Sequence, residues 1–172
     1  MIESSHDTLR DFIALKCHDI FGVSCIALKE VPAIVSGELR RADLVVVSRM
    51  GRYPYVRVIE VKTKFENFWD AINQLLWFKE NGLANYYFIA LPENIAKLLS
   101  YDQRVELLNK NIGLITIRVK GGVKGLEWEV IKEISPKSEV RKRDWDLLYR
   151  ELEKLGEHSL VERLRETVEK HS

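Results

Sequence analysis

The chain has 172 residues, 46% of them hydrophobic and 31% charged, with a formal net charge of +1. Such a length and composition suit one compact domain with a real core, and they exclude general disorder. So small a net charge excludes a protein that holds a polyanion by bulk charge, leaving any nucleic-acid contact to local clusters.

In chain order, Leu9, Phe12, Ile13, Cys17, Ile20 and Phe21 recur at helical spacing and predict a first helix, with Gly22 as its stop. Ser4 with Asp7 three residues on resembles a capping box at its start. Ser24 to Lys29 predicts a strand ended near Pro32. Leu39 to Ser48, centred on Leu44-Val45-Val46-Val47, predicts a second strand, and Met50-Gly51-Arg52 a turn into a third, Tyr55 to Lys62. A second helix is expected from Trp69 to Asn81, with Gly82 just past its end. Tyr86 to Leu91 then predicts a strand, Ile95 to Asn109 a helix, Gly113 to Lys120 a strand, and Trp128 to Ile134 its hairpin partner after a Gly121-Gly122 turn.

Ser135-Pro136 is the clearest boundary. After it comes a charged tail of two predicted helices, the first bearing Trp145, Leu148, Leu152 and Leu155 before Gly156. The second carries Leu160, Leu164 and Val168, with Ser159 and Glu162 as a capping box and a favourable Glu166–Lys170 pair. The pattern predicts an α/β fold: a mixed central β-sheet flanked by helices over residues 1–135, then a C-terminal helical extension over 136–172. The tail's apolar stripes need burial, either against the domain or against a second copy in a homodimer.

The two cysteines, Cys17 and Cys25, form no CxxC pair, and His6, His18, His158 and His171 are scattered. A structural zinc site needs four ligands in close groups, so the cysteines read as small core residues of a reduced intracellular protein. No basic segment precedes an apolar run at the N-terminus, and no apolar stretch approaches bilayer length. A cytoplasmic protein without a membrane partner is the expectation.

Chemistry is suggested by charges placed where a strand should be apolar. Val56 to Val61 reads Val-Arg-Val-Ile-Glu-Val, a run suited to a strand buried on both faces. Alternation puts Glu60 and Lys62 on the face of Val56 and Val58. Burying either charge unpaired costs several kcal/mol or shifts its pKa, roughly. Asp43, just ahead of Leu44-Val45-Val46-Val47, raises the same question. Two acids beside a lysine suit a divalent ion: carboxylates are the hard oxygen ligands Mg²⁺ prefers, with waters and a substrate phosphate completing its shell. An ammonium next to that ion can orient the attacking water and offset developing negative charge. The bland alternative is a same-face ion pair at a solvent-facing edge. The two readings turn on register, because only one pairing of the hairpin sets Asp43 across from Glu60. Local basic clusters that could meet phosphate are Arg40-Arg41, Arg49 with Arg52, Lys62 with Lys64, and Arg141-Lys142-Arg143.

Arg41-Ala42-Asp43-Leu44-Val45-Val46-Val47 followed by Val58-Ile59-Glu60-Val61-Lys62 resembles the Asp…Glu-x-Lys signature of the PD-(D/E)XK nuclease superfamily, whose fold is restriction-endonuclease-like. The resemblance spans about residues 7–119 and includes the order helix, strand hairpin, helix. It implies Asp43 and Glu60 as ligands of Mg²⁺ or Mn²⁺, the Val61 carbonyl as a third, and Lys62 as the catalytic lysine. Several branches place a glutamine on the following helix, which matches Gln74, with Phe78 one turn on. Ala42 replaces the motif's proline, and the acid that many members carry on the first helix would here be Asp7 or Asp11, with Glu38 as an outlying alternative. The implied activity is metal-dependent hydrolysis of DNA, with RNA as a second substrate class. Arg40, Arg41, Lys64, Arg141, Lys142 and Arg143 are then the expected nucleic-acid contacts. A non-catalytic nucleic-acid-binding or assembly module on the same fold is the alternative. Gly121-Gly122-Val123-Lys124-Gly125 lacks the P-loop pattern, no GxSxG elbow occurs, and the four tryptophans read as core.

Overall fold

The strands lie side by side in space in the order they occur in sequence. In the computed structural model, which describes residues 5–122 and 125–168, one sheet runs β1 (Cys25–Val35), β2 (Glu38–Ser48), β3 (Val56–Val61), β4 (Tyr86–Pro92), β5 (Gly113–Gly122), β6 (Gly125–Ile134). Pairs joined by short turns, β1–β2, β2–β3 and β5–β6, are antiparallel; β3–β4 and β4–β5 are parallel. Parallel neighbours need a long crossover, and here each crossover is helical. The first carries α3 (Phe68–Glu80), the second α4 (Glu93–Ala96) and α5 (Tyr101–Asn109). This is the mixed, helix-flanked α/β sheet that the sequence predicts.

Every residue of β3 is buried, so a core lies on each face of the sheet. On one face Val45, Val47, Val56 and Val58 meet Phe68, Ile72, Leu75 and Phe78 of α3. On the other, Leu44, Val46, Ile59 and Val61 meet Leu9, Ile13 and Cys17. These last belong to α1 (His6–Leu15) and α2 (Cys17–Phe21), which replace the single predicted first helix because the chain leaves helical geometry at Lys16. The cap of α1 is Ser5, which accepts from the Thr8 N–H at 3.1 Å. Ser4 and Lys170, assigned to a capping box and an ion pair, lie outside the described residues. Cys17 and Cys25 are free thiols with their Sγ atoms 2.9 Å apart. Burial first, and then Cys17 itself, pushes the Cys25 thiol up to about 12.

Two breaks differ from the predicted spans. Strand β1 continues through Pro32 to Val35; as the sheet's edge strand it can turn a residue without an N–H outward at no cost to pairing. The predicted helix over 95–109 is two, because Ser100 and Gln103 form a capping box that starts α5 afresh. At the far end of β1, Ser36 and Gly37 have φ of 51° and 80°, the left-handed pair of a two-residue hairpin turn.

Midway along the β1–β2 hairpin, the ladder pairs Lys29 with Leu44 and then Val31 with Ala42, omitting Glu30 and Asp43. Glu30 has φ 53°, and its carboxylate accepts from Arg10 Nη1 of α1 at 2.6 Å. Both strands skip one residue together. Beyond the step Val31, Ala33, Val35 and Ala42 face α3, whereas before it Ile26 and Leu28 do. Asp43 therefore sits on a local irregularity rather than in a regular pleat.

The tail packs in cis. Trp145, Leu148, Tyr149 and Leu152 join Leu160, Val161 and Leu164 in the α3-side core, through α6 (Asp146–Lys154) and α7 (His158–Glu166). The Trp145 N–H donates to Pro32 O at 2.9 Å. Ser159 lies inside α7, whose N-cap residue is Glu157. Lys142 N donates to Gly82 O at 2.9 Å, and Gly82 has φ 62°. A Cβ built on Gly82 would lie 2.7 Å from Lys142 Cβ and 3.0 Å from its backbone N. Gly82→Ala should therefore cost about 2–4 kcal/mol, from left-handed backbone and overpacking together. Thermal unfolding would read this as a fall of roughly 5–15 °C for a chain of this size; an unchanged Tm would mean that the tail does not dock there.

Candidate active site

The end of the β2–β3 pair brings the two acids together. Its ladder runs Val47–Val56, Val46–Arg57, Val45–Val58, Leu44–Ile59, so the next rung sets Asp43 opposite Glu60. There the side chains replace the ladder. The Asp43 N–H donates to Glu60 Oε1 at 3.2 Å, and the Val61 N–H donates to Asp43 Oδ2 at 2.8 Å. Each acid is thus held by the main chain beside the other, a crossed clasp that fixes both carboxylates in orientation.

The electrostatics of the pair are unfavourable as they stand. Glu60 is only 3% exposed. Burial first, and then the charge of Asp43, holds its carboxyl well above the usual glutamate range, while Lys62 pulls in the opposite direction. Asp43 has an ion-pair partner in His6, whose Nε2 lies 3.2 Å from Oδ2. Burial lowers the His6 imidazole, but its hydrogen bonds to Asp7 and Asp43 outweigh this and raise it.

Around the acids opens a cleft of about 430 Å³, walled by Arg40 and Arg41 of β2, Lys62 at the end of β3, and Asp70, Asn73 and Gln74 of α3. Positions 70 and 74 lie one turn apart, which places them on one face of α3, while Phe68, Ala71, Ile72, Leu75 and Phe78 face the core. Gln74 bridges the wall: its Oε1 accepts from Arg40 Nη1 at 2.9 Å and its Nε2 donates to Arg41 O at 3.1 Å. Arg40 also lies over the Trp77 ring, 5.5 Å from its centroid, and pairs with Glu38 at 2.8 Å.

Asp43, Glu60, Lys62, Arg40, Arg41 and Gln74, separated in sequence, therefore share one cleft. Val61 adjoins it, and Lys64 is exposed on the loop that follows. The first-helix acids are placed otherwise than expected. Asp11 is held by Lys29 at 2.9 Å and Arg10 at 3.2 Å, and Asp7 is 72% exposed and turned to His6 and Arg10. Glu38 is likewise engaged, accepting from the Trp77 N–H at 3.0 Å. Of the side chains on the first turn of α1, His6 is the one that meets Asp43. Its place on the first turn of α1, one residue from Asp7, is the sequence signal that marks it.

The 141–143 cluster is not part of the cleft. Arg141 is 1% exposed, and its guanidinium donates to Leu164 O, to Tyr149 Oη at 3.3 Å and to Thr167 Oγ1 at 3.2 Å. It joins the tail to itself rather than reaching for phosphate. Lys142 and Arg143 are exposed but sit against Gly82, near where Asn85 meets Val56 at the opposite end of β3 from Glu60.

Among the described residues, no three His, Cys, Asp or Glu side chains gather as a metal-holding set. Two carboxylates with a nearby main-chain carbonyl do fit Mg²⁺ or Mn²⁺, which bind through one or two carboxylates and keep several positions for water and phosphate. A cation between Asp43 and Glu60 would also offset the burial and the Asp43 charge that together raise the Glu60 carboxyl.

No protein-family model matches the chain, and no curated sequence does. The solved structures that resemble it include two from cyanobacterial sources. One is an XisH family protein from Nostoc punctiforme PCC 73102, at 13% identity and a TM-score of 0.47, covering 64% of this chain and 90% of that one. The other is an fdxN element excision controlling factor protein from Anabaena variabilis, at 12% identity and a TM-score of 0.48, with coverage of 64% and 90%. At such scores no residue role or activity is carried from either. Among the described residues, no helix is long and apolar enough to cross a membrane.

Proposed function

We propose that this chain is a metal-dependent nuclease that hydrolyses phosphodiester bonds in DNA, on the pattern of the PD-(D/E)XK superfamily that its sequence resembles. The observation that carries the reading is the crossed clasp of Asp43 and Glu60 at the floor of a cleft with cationic and amide walls. A buried Glu60 carboxyl set beside the charge of Asp43 is costly on its own; the same two acids are a ready seat for a divalent cation.

In this reading Asp43, Glu60 and the Val61 carbonyl hold Mg²⁺ or Mn²⁺. When bound, the ion supplies Lewis acidity to the scissile phosphate and lowers the pKa of a water. Lys62 donates from its ammonium to the attacking water and to a non-bridging phosphate oxygen, orienting the first and offsetting charge on the second. Arg40 and Arg41 hold the flanking backbone phosphates, which positions the strand without reading its sequence. Gln74, with both ends of its amide committed to Arg40 and Arg41, is a positioning residue that keeps this wall in place.

Cleavage of end-labelled single-stranded, duplex and branched DNA in Mg²⁺, Mn²⁺ or EDTA tests the assignment. Cutting should require the metal, and Lys62→Ala should slow it by about 10²–10³-fold while leaving Tm unchanged. Cutting that persists in EDTA, or at full rate in Lys62→Ala, would remove the site from consideration. One observation favours a non-catalytic nucleic-acid-binding module instead: His6, not an acid, faces Asp43. DNA that binds in the same assay and is never cut would select that second reading.

A further inference from the structure

Trp69 does not behave as a core tryptophan. Its neighbour Phe68 is sealed in the sheet-facing core, whereas Trp69 remains 46% exposed, its ring set edge-on against Phe68 with centroids 5.1 Å apart. Trp145 and Trp77 place their indole N–H groups on Pro32 O and Glu38; among the described residues Trp69 has no such bond. Trp69 lies one turn from Asn73, which lines the cleft, so the two share a face of α3 beside that wall. The approach from β3 adds a second open ring: Lys62, which lines the cleft, leads through the exposed Lys64 to Phe65, 37% exposed. Large apolar rings and cations beside a cleft lined by Arg40, Arg41 and Lys62 match the chemistry of one occupant, a nucleotide strand whose bases are free to stack. Within a duplex the base faces are already stacked and cannot meet an indole without being pulled out.

We infer that Trp69, supported by Phe65, is a stacking platform for an unpaired nucleobase of a DNA strand whose backbone lies in the Asp43–Glu60 cleft, which makes single-stranded DNA the preferred substrate. The inference rests on the nuclease reading for the strand's position but concerns its secondary structure. Stacking is indifferent to base identity because every base has a π-face, so the preference is for strandedness and not for sequence. The half-buried Lys62 and the exposed Lys64, which precede Phe65 along the chain, supply the charge that a lone aromatic patch would lack.

Fluorescence anisotropy in EDTA, with fluorescein-labelled dT20 and a 20-base-pair blunt duplex, separates this inference from the one beneath it. The wild type should bind dT20 more tightly than the duplex. Trp69→Ala should weaken dT20 binding by about 5- to 100-fold, the scale of one lost base–aromatic stack, with duplex affinity within about twofold of the wild type. Trp69→Phe should restore most of the loss, and an exposed position spares the fold. If both DNAs bind and Trp69→Ala is neutral or weakens both equally, the platform falls while the nuclease reading stands. If the wild type binds neither DNA, both readings fall together.

Discussion

Glu60→Gln is expected to act in two opposite directions: cleavage falls to background, and the metal-free fold becomes more stable at neutral pH. The loss of cleavage follows from removing one of two acidic ligands, with an expected drop of at least about 10²–10³-fold, on the scale of losing one aimed electrostatic group. The stabilisation follows from the raised pKa of Glu60, which burial causes first and Asp43 second. A carboxyl with a raised pKa holds its proton more tightly in the folded than in the unfolded chain. As pH climbs from the ordinary glutamate range towards the raised value, the unfolded state sheds that proton first, and the folded state loses ground. Below the ordinary range both states are protonated and the penalty disappears. Glutamine keeps an acceptor for the Asp43 N–H and carries no charge, so in EDTA the variant should melt above the wild type at pH 7 and with it near pH 4. Added Mg²⁺ should reverse the order. Binding at a hundredfold excess over Kd stabilises the wild type by about 2.7 kcal/mol, or roughly 5–10 °C at this size, and should leave the variant nearly unmoved. A variant less stable than the wild type in EDTA at pH 7 would show that Glu60 carries no such penalty, and one equally stabilised by Mg²⁺ would show that Glu60 does not face a metal.

Removing residues 136–172 should unfold the protein. Trp145, Leu148, Tyr149, Leu152, Leu160, Val161 and Leu164 lie in the same core as the sheet and α3. Fully buried side chains of this size contribute about 1.5–3 kcal/mol each, so the seven together rival the ~5–15 kcal/mol that a whole domain has to spare. The cut would also bare Phe78, whose ring lies 5.7 Å from that of Trp145, behind the helix that carries Gln74. Circular dichroism and calorimetry of the truncated chain should find no cooperative transition at 25 °C and above. A truncated chain that melts cooperatively would restore the boundary at Pro136 as a true domain limit.

The elements most legible in the sequence are those in which one physical signal dominates. Val56 to Val61 is apolar on both sides of the pleat apart from Arg57 and Glu60, and it is the buried third strand. Glycine at position 82 marks the end of α3, as its positive φ requires. Legibility fails where two signals compete. Pro32 reads as a stop by propensity, yet on an edge strand its missing N–H is no loss. Apolar spacing over 95–109 conceals a restart, and the capping pair Ser100–Gln103 that announces it is just as visible in the sequence. Of the site, Asp43, Glu60 and Lys62 are legible because acids inside apolar strands demand an explanation, but register and clasp are not, since they depend on pairing. The Arg141-Lys142-Arg143 run shows the limit of composition. Its first member is buried by Tyr149 and Thr167, and no count of charges distinguishes a guanidinium that meets solvent from one that ties helices.

The step at Glu30 and Asp43 divides the β1–β2 hairpin into a half anchored to the sheet and an arm that ends at Ser36-Gly37. Arg10 fastens the step to α1 through Glu30, and the crossed clasp fastens it to β3. Paired residues added beyond it would lengthen the arm by whole rungs and leave the acids where they are. A single unpaired residue inserted in one strand next to the step would instead turn the rest of that strand over. The hairpin therefore separates what can drift from what cannot: its tip at Ser36-Gly37 is free to change in length over evolutionary time, while the packed arm and the acids behind it stay fixed.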